Sequence, residues 1–263
     1  MFTAKISSQL LLNRTALITG AASGIGKAMS TRLLGSGVAT LLAVDISEVN
    51  LHQACEAFQL SYPSATIVPI ICDVTDGEAL AVAFKTMVGK APPLSIVVNN
   101  AGTAVENVNW KHNVELNLVA AITGTQLGLE SFANEPAAEG GVVVNVASMA
   151  GLFPMAFGPI YSAAKHGLVG YSRCFDHLAR KNIRVNCLCP AFVDTPLVRE
   201  MLENGPPKIA NSGKLAIDSL GGLIPMKQVE DAFIDLAANE EHVGSVLRVT
   251  NAGGAALHRF PSS

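Results

Sequence analysis

Charge is scarce in this chain. Only 15% of its 263 residues are Asp, Glu, Lys or Arg, and 18 basic residues stand against 21 acidic, a net of −3. A nucleic-acid binder needs a clustered basic face. The one basic concentration, Arg173, Arg180, Lys181 and Arg184, is interrupted by Asp176 and reads as a solvated helix end. Aromatics are also few, 5% with a single tryptophan, so the apolar mass is Ala, Val, Leu and Ile. No apolar run approaches the ~18 residues that a membrane helix needs. The cysteines Cys55, Cys72, Cys174, Cys187 and Cys189 are odd in number and scattered, which excludes a disulfide-stapled domain. With no partner pair at ligand spacing, Cys187 and Cys189 read as core thiols and no metal site is expected. Such usage fits a reducing, cytoplasmic setting. The stretch Met1–Asn13 lacks the apolar core of a signal peptide; acid-free and carrying Lys5, it leaves a short targeting role open.

What is abundant is apolar residues, 49%, and glycine, 23 in all. Short apolar runs recur at Thr15–Thr19, Val38–Asp45, Ala65–Asp73, Leu94–Asn99, Gly141–Ser148, Ile183–Cys189 and Ser245–Thr250. Helical patterns fall between them, from the first glycine turn to Leu34, then Val49–Ser61, Asp76–Gly89, Trp110–Ala133, Tyr161–Lys181 and Val229–Asn239. Buried strands alternating with helices predict βαβ units. The expected fold is α/β: one domain over residues 1–263, a doubly wound parallel sheet of about seven strands with helices on both faces. Thr195–Lys227 breaks the rhythm with Pro196, Pro206, Pro207, Gly221, Gly222 and Pro225. A structureless stretch this long reads as a lid or substrate loop.

Thr19-Gly20-Ala21-Ala22-Ser23-Gly24-Ile25-Gly26 directly follows the first strand and opens a helix. Glycines let the backbone turn sharply and let a pyrophosphate approach, and the helix N-terminus meets its charge with free N–H groups. Asp45 closes the second strand 19 residues beyond Gly26, where a carboxylate accepts both ribose hydroxyls of NAD. It would repel a 2′-phosphate, and no Arg or Lys neighbours it, so NAD is expected rather than NADP. Alone, Asp45 reads equally well as a turn residue before Ser47. Asp73 ends the third strand in reach of an adenine, although Asp73-Val74-Thr75-Asp76 also reads as a helix start.

Tyr161 and Lys165, four residues apart on one helix face, follow a strand that ends at Ser148. A lysine ammonium favours the phenolate and lowers the tyrosine pKa from about 10. A tyrosine so tuned takes the hydroxyl proton of an alcohol as hydride leaves its carbon, while Ser148 hydrogen-bonds the same oxygen. Met149, Leu152, Phe153, Met155, Phe157 and Ile160 flank the pair, and the lid adds Leu197, Val198 and Met201. No Arg or Lys lies in Ser148–Tyr161, so the pocket is expected to take an apolar ligand. His166 points away from the Tyr161/Lys165 face.

On the glycine turn, Asp73-Val74, Asn99-Asn100-Ala101-Gly102, Asn117, Ser148, Tyr161, Lys165, Asn186 and Pro190–Thr195, the chain resembles the short-chain dehydrogenases/reductases from about Arg14 to Gly254. The resemblance implies a Rossmann-type fold and an oxidoreductase with Ser148, Tyr161, Lys165 and Asn117 as its catalytic set. Asn117 would support a water-linked proton relay, Lys165 would hold the nicotinamide ribose, and Val193–Thr195 would contact the carboxamide. It extends the nucleotide contacts to Gly20, Ser23, Gly24, Ile25, Gly26, Val74, Asn100, Ala101, Gly102 and Pro190. Asn109-Trp110, Leu116-Asn117-Leu118-Val119 and Lys165-His166-Gly167 are similar to the NAD-linked 15-hydroxyprostaglandin dehydrogenase branch. Gly158 stands where that branch usually has a polar residue orienting the substrate hydroxyl, a departure that bears on prostaglandin specificity. Ala191 replaces the usual glycine after Pro190.

The expected activity is NAD-dependent oxidation of an apolar, lipid-like secondary alcohol to a ketone, reversibly. Alternatives are a stereoselective ketone reductase, a dehydrogenase of small cyclic or terpenoid alcohols, and a non-catalytic NAD-binding regulatory protein. By the same resemblance the chain forms a homodimer or homotetramer through Trp110–Ala133 and Tyr161–Lys181. Gly124, Gly128, Gly167 and Gly170 serve either that interface or packing within one subunit.

Overall fold

A computed structural model describes residues 11–86, 92–104, 109–134 and 140–260; most of the amino-terminal stretch, Lys5 included, and the end of the helix expected over Asp76–Gly89 lie outside them. The strands are β1 (Thr15–Thr19), β2 (Thr40–Asp45), β3 (Thr66–Ile71), β4 (Leu94–Asn99), β5 (Gly141–Val146), β6 (Ile183–Pro190), β7 (Val246–Thr250) and β8 (Gly254–Leu257). They form one sheet in the order β3-β2-β1-β4-β5-β6-β7-β8. The first seven run parallel and β8 folds back antiparallel on β7. Eight strands therefore replace the expected seven: four residues following Gly253 are too short a run to show alternation. Central strands are buried, β1 end to end and β2 up to its final Asp45, whereas β3 is half exposed. As an edge strand it tolerates Pro69, which has no N–H to give a further neighbour.

Helices α1 (Gly24–Gly35), α2 (Glu48–Ser61) and α3 (Gly77–Lys85) connect the first four strands. Next come α4 (Trp110–Val114), a π-helical turn at Glu115–Val119 and α5 (Ala120–Asn134), then α6 (Pro159–Ser172) with a 3-10 continuation over Arg173–Lys181. Finally α7 (Pro196–Glu203), α8 (Pro207–Ser219) and α9 (Met226–Ala238) precede β7. Alternate strand residues feed cores on opposite faces. Ala16 and Ile18 pack with Met29, Leu33, Leu51 and Phe233, while Leu17 joins Leu80, Phe84 and Phe132. The segment read as a loop over Thr195–Lys227 holds two helices. Pro196 and Pro207 begin them, because a missing N–H costs nothing at a helix's first position.

A buried polar network ties the halves of the sheet. Asn99 Nδ2 donates to Asn145 Oδ1 at 2.8 Å and to Thr125 Oγ1 at 3.1 Å, and Asn145 Nδ2 donates to Ser172 Oγ at 3.0 Å. Three of the four small helix residues serve packing within the chain: an added Cβ would lie 2.1 Å from Asn99 at Gly124, 3.0 Å from Val97 at Gly128 and 3.1 Å from Leu118 at Gly167. Only Gly170 faces open space. All five cysteines are free. Among the described residues no helix is long and apolar enough to cross a membrane, and no group of three or more His, Cys, Asp or Glu could hold a metal ion.

Candidate active site

The strand order changes direction between β1 and β4, which are neighbours in space while β2 and β3 lie to one side. In open α/β sheets that switch opens a crevice at the carboxyl ends of the strands. A cavity of about 730 Å³ opens there. Its nucleotide end is shaped by backbone. Gly20 and Gly24 have φ of +67° and +51°, a conformation glycine adopts at no steric cost. A Cβ on Gly26 would stand 2.0 Å from the Gly20 carbonyl oxygen. Side chains then lock the turn: Thr19 Oγ1 accepts from the N–H of Asn100 at 3.0 Å and of Ala101 at 3.1 Å, and Asn100 Nδ2 donates to Thr19 O at 2.9 Å.

Asp45 is more than a turn residue. Its Oδ2 accepts from Ala22 N–H at 3.0 Å and its Oδ1 from Ser47 N–H at 2.9 Å, so one carboxylate fastens the glycine turn to the end of β2. Asp73 accepts from Thr75 N–H and Oγ1 at 2.9 and 2.7 Å, and those bonds hold its carboxyl below the usual range. The helix start predicted there belongs to Asp76, which caps α3 through Glu78 and Ala79 N–H. Gly26, Asp45, Asp73 and Val74 lie outside the cavity lining; Gly20, Ser23, Gly24, Ile25, Asn100, Ala101 and Gly102 lie in it, with Pro190, Val193 and Thr195 from β6 and the following loop. The glycine cradle, kept open only where side chains are absent, fits a dinucleotide phosphate.

At the chemical end Ser148, Asn117, Tyr161 and Lys165 all line the same cavity. Ser148 follows β5, and its Oγ accepts from Ala150 N–H at 3.1 Å, capping the short 3-10 turn Met149–Gly151. The Ser148 hydroxyl also hydrogen-bonds Tyr161. Lys165 is buried, its Nζ donating to Val146 O at 2.9 Å and lying 5.6 Å from the Tyr161 ring centroid. Burial pushes the Tyr161 pKa up to about 12, against the pull of Ser148; the expected lowering by Lys165 is not its state here. The same apolar surroundings push Lys165 down to about 8, against the nearby Cys187 and Cys189. In a dry pocket desolvation outweighs a neighbour at that distance.

Asn117 sits in the π-helical turn, a helix irregularity frequent at functional sites. Its Nδ2 donates to Thr103 O at 2.8 Å and Asn113 O at 3.1 Å, and its Oδ1 accepts from Thr103 N–H at 3.2 Å. A Cβ on Gly102 would meet Asn117 Oδ1 at 2.6 Å and Lys165 Nζ at 3.6 Å, so Gly102 brings the two side chains to one wall.

Met149, Phe153, Met155, Phe157, Leu197, Val198 and Met201 all line the cavity. Gly158 does not: it is buried as the N-cap of α6. Leu152 and Ile160 are also absent from the wall, and Leu152 packs instead beside Leu168 and Val169. His166 is exposed, its Nδ1 paired with Ser162 O at 2.9 Å. Sequence reasoning missed Phe192, Leu220, Arg248 and Thr250. Only Arg248, alternating with buried Leu247 and Val249, offered a signal.

The family model described as short chain dehydrogenase matches residues 14–205. The NAD(+) 15-hydroxyprostaglandin dehydrogenase of Bos taurus is 34% identical over 253 residues, covering 92% of each chain. A 3-oxoacyl-(acyl-carrier-protein) reductase of Thermotoga maritima is 30% identical over 88% of this chain and 92% of its own. Among solved structures, L-sorbose reductase of Gluconobacter frateurii, complexed with NADPH and L-sorbose, aligns with a TM-score of 0.79 at 23% identity, covering 91% and 96% of the two chains.

Proposed function

Because the chain belongs to the short chain dehydrogenases, oxidoreductases that bind a nicotinamide cofactor, we propose that it oxidises an apolar secondary alcohol to a ketone with NAD, reversibly. The observation that carries this reading is the Ser148–Tyr161 hydrogen bond beside buried Lys165, in the cavity that begins at the glycine turn. The substrate hydroxyl lies between Ser148 and Tyr161. Ser148 donates to its oxygen and Tyr161, as the phenolate that the positive charges of Lys165 and the bound cofactor favour, accepts its proton, so that the carbinol C–H electron pair leaves as hydride and the C–O bond becomes a carbonyl. When bound, the nicotinamide supplies the hydride acceptor and a positive charge. Lys165 contributes a second positive charge at the phenol and a donor for the ribose. Asn117, fixed by Thr103 and Asn113, supports proton exchange behind Lys165.

NAD is favoured over NADP by Asp45: its carboxylate ends β2 beside the turn, where a 2′-phosphate would meet a like charge. The bovine relative carries NAD(+) in its name. We read α7 and α8 as a lid over the single domain, since Leu197, Val198, Met201 and Leu220 come from them and from the turn after α8. We also infer a homodimer or homotetramer through α4–α5 and α6, where Trp110 and Val119 stay exposed.

Ketone reduction is the second reading, favoured by the burial that keeps Tyr161 protonated at neutral pH, the form that donates to a carbonyl oxygen. Initial rates with secondary alcohols and NAD+ or NADP+, and with the matching ketones and NADH or NADPH, test both readings. The expected result is alcohol turnover with NAD+ well above NADP+. Faster ketone turnover with NADPH would overturn the cofactor assignment and the direction together.

A further inference from the structure

Arg248 enters the cavity from a strand that no step above uses. In β7 the side chains alternate: Leu247 and Val249 are buried in the core of one face, and Val246, Arg248 and Thr250 take the other. On β6 the register partner of Arg248 is Cys189. The Cys189 thiol accepts from the Ser148 backbone, with Lys165 close by. Paired residues of neighbouring parallel strands project to the same face, roughly 4.8 Å apart. Arg248 therefore stands on the catalytic face, one strand beyond the residues that hold the reacting hydroxyl.

Its surroundings make it conspicuous. Lys165 and Arg248 are the only charged side chains lining the cavity among the described residues, and no carboxylate lines it. Lys165 is buried and bonded to Val146 O. Arg248 is exposed, and no acidic side chain among the described residues pairs with it. The other cation nearby, Arg173, is occupied: its guanidinium lies 3.5 Å from the centroid of the Phe260 ring. Between them His258 is held below its usual pKa, first by burial and then by Arg248 and Arg173. Its ring stands edge-on to Phe153 of the cavity wall, 6.1 Å between centroids. An otherwise largely apolar wall thus carries one unpaired positive charge.

We propose that Arg248 is a specificity-determining residue whose guanidinium receives a carboxylate at the far end of the substrate. The substrate class is then a hydroxy acid, or the corresponding oxo acid in reverse, with its apolar chain lying against Met149, Phe153 and Met155. A guanidinium matches a carboxylate with two parallel donors, and one cation balances a monoanion, whereas a phosphate dianion would call for more. This inference rests on the alcohol dehydrogenase reading above.

The test compares 7-hydroxyoctanoate and its longer homologues with their methyl esters, and with 2-octanol as the neutral reference, by initial rates with NAD+. Wild type should prefer acid over ester by about tenfold or more in kcat/KM, mainly through KM because the contact binds the carboxylate and not the reacting carbon. In Arg248→Gln the acid-to-ester ratio should collapse towards one, and Arg248→Lys should restore part of it. Equal rates for acid and ester in wild type would overturn the proposal while leaving the dehydrogenase reading intact. So would an Arg248→Gln enzyme that slows on both by the same factor. Failure to oxidise any of the series, 2-octanol included, would overturn both.

Discussion

The two ends of the cavity are built by opposite means. At the nucleotide end the backbone is the surface: glycines remove the side chains, and Thr19, Asn100 and Asp45 tie the turn to β1, β4 and β2 with four hydrogen bonds of 2.9 to 3.1 Å. At the substrate end, side chains are the surface, and the helices that carry them barely enter the core. No residue of α7 is buried, and α8 buries only Ala210, Gly213 and Ile217, whereas α9 buries eight of its 13 residues. Few buried contacts and exposed helical backbone mark a segment of low local stability. One end is shaped for a ligand of fixed form, and the other can adjust to its occupant.

Tyr161→Phe separates the ends most sharply. Removing the hydroxyl takes away the proton acceptor, and the expected loss in kcat is about 10³-fold or more. The glycine turn and Asp45 remain, so NADH binding should stay within roughly threefold of wild type. Stopped-flow turnover and NADH fluorescence titration read the two separately. A parallel fall in both would mean that the ends are not independent.

Gly26→Ala attacks the other end. The new Cβ would stand 2.0 Å from Gly20 O and 2.6 Å from Asn100 Nδ2, so the turn itself must move. Overpacking of this kind costs about 1–3 kcal/mol, visible as a lower denaturant midpoint, and NADH affinity should fall by about tenfold or more. A variant of wild-type stability and affinity would show the turn to be as adaptable as the lid.

Lys165 lies where the ends meet, and its burial gives a pH signature. Its folded pKa of about 8 is below the ordinary 10.5. Between those values the unfolded chain binds more protons than the folded one, so stability rises with pH through that window. This is the reverse of a lysine gaining an acidic partner. Lys165→Met should flatten the curve between about pH 8 and 10.5, a difference on the order of 3 kcal/mol, measured by urea unfolding at stepped pH. An unchanged slope would refute the assignment of that titration to Lys165.

How much of this was legible followed from how local each signal is. The glycine turn, Asp45 and the Tyr161/Lys165 pair lie within single strand-turn-helix or helix segments, and their spacing, taken in combination, exposes them. Arg248 does not: it joins the site only because β6 and β7 pair with Cys189 opposite Arg248, a register set across 58 intervening residues. The buried Asn99–Asn145–Ser172 chain is long-range in the same way. The sequence reads α7 and α8 as loop because prolines look like breaks when their position at N1 is unknown. The Tyr161 pKa went the other way from its local reading, since dehydration by the folded walls outweighs one lysine on the next helical turn.

Gly213→Ala is the gentlest probe and the one that bears most directly on the softness of the lid. Gly213 is buried in α8, and an added Cβ would meet Met201 Cε at 2.8 Å and Leu202 Cδ2 at 3.4 Å. Both are the ends of flexible side chains, not backbone as at Gly26. Alanine in a helix interior is favoured over glycine by about 0.8–1 kcal/mol, which offsets the adjustment Met201 must make. Stability should therefore stay within about 1 kcal/mol of wild type. Met201 lines the cavity, so its displacement should move KM for a bulky apolar alcohol a few-fold with little change in kcat. Thermal unfolding and a two-substrate KM comparison read both effects. A loss of stability as large as that of Gly26→Ala would mean that α7 and α8 are held as tightly as the glycine turn, and the contrast between the two ends would fail.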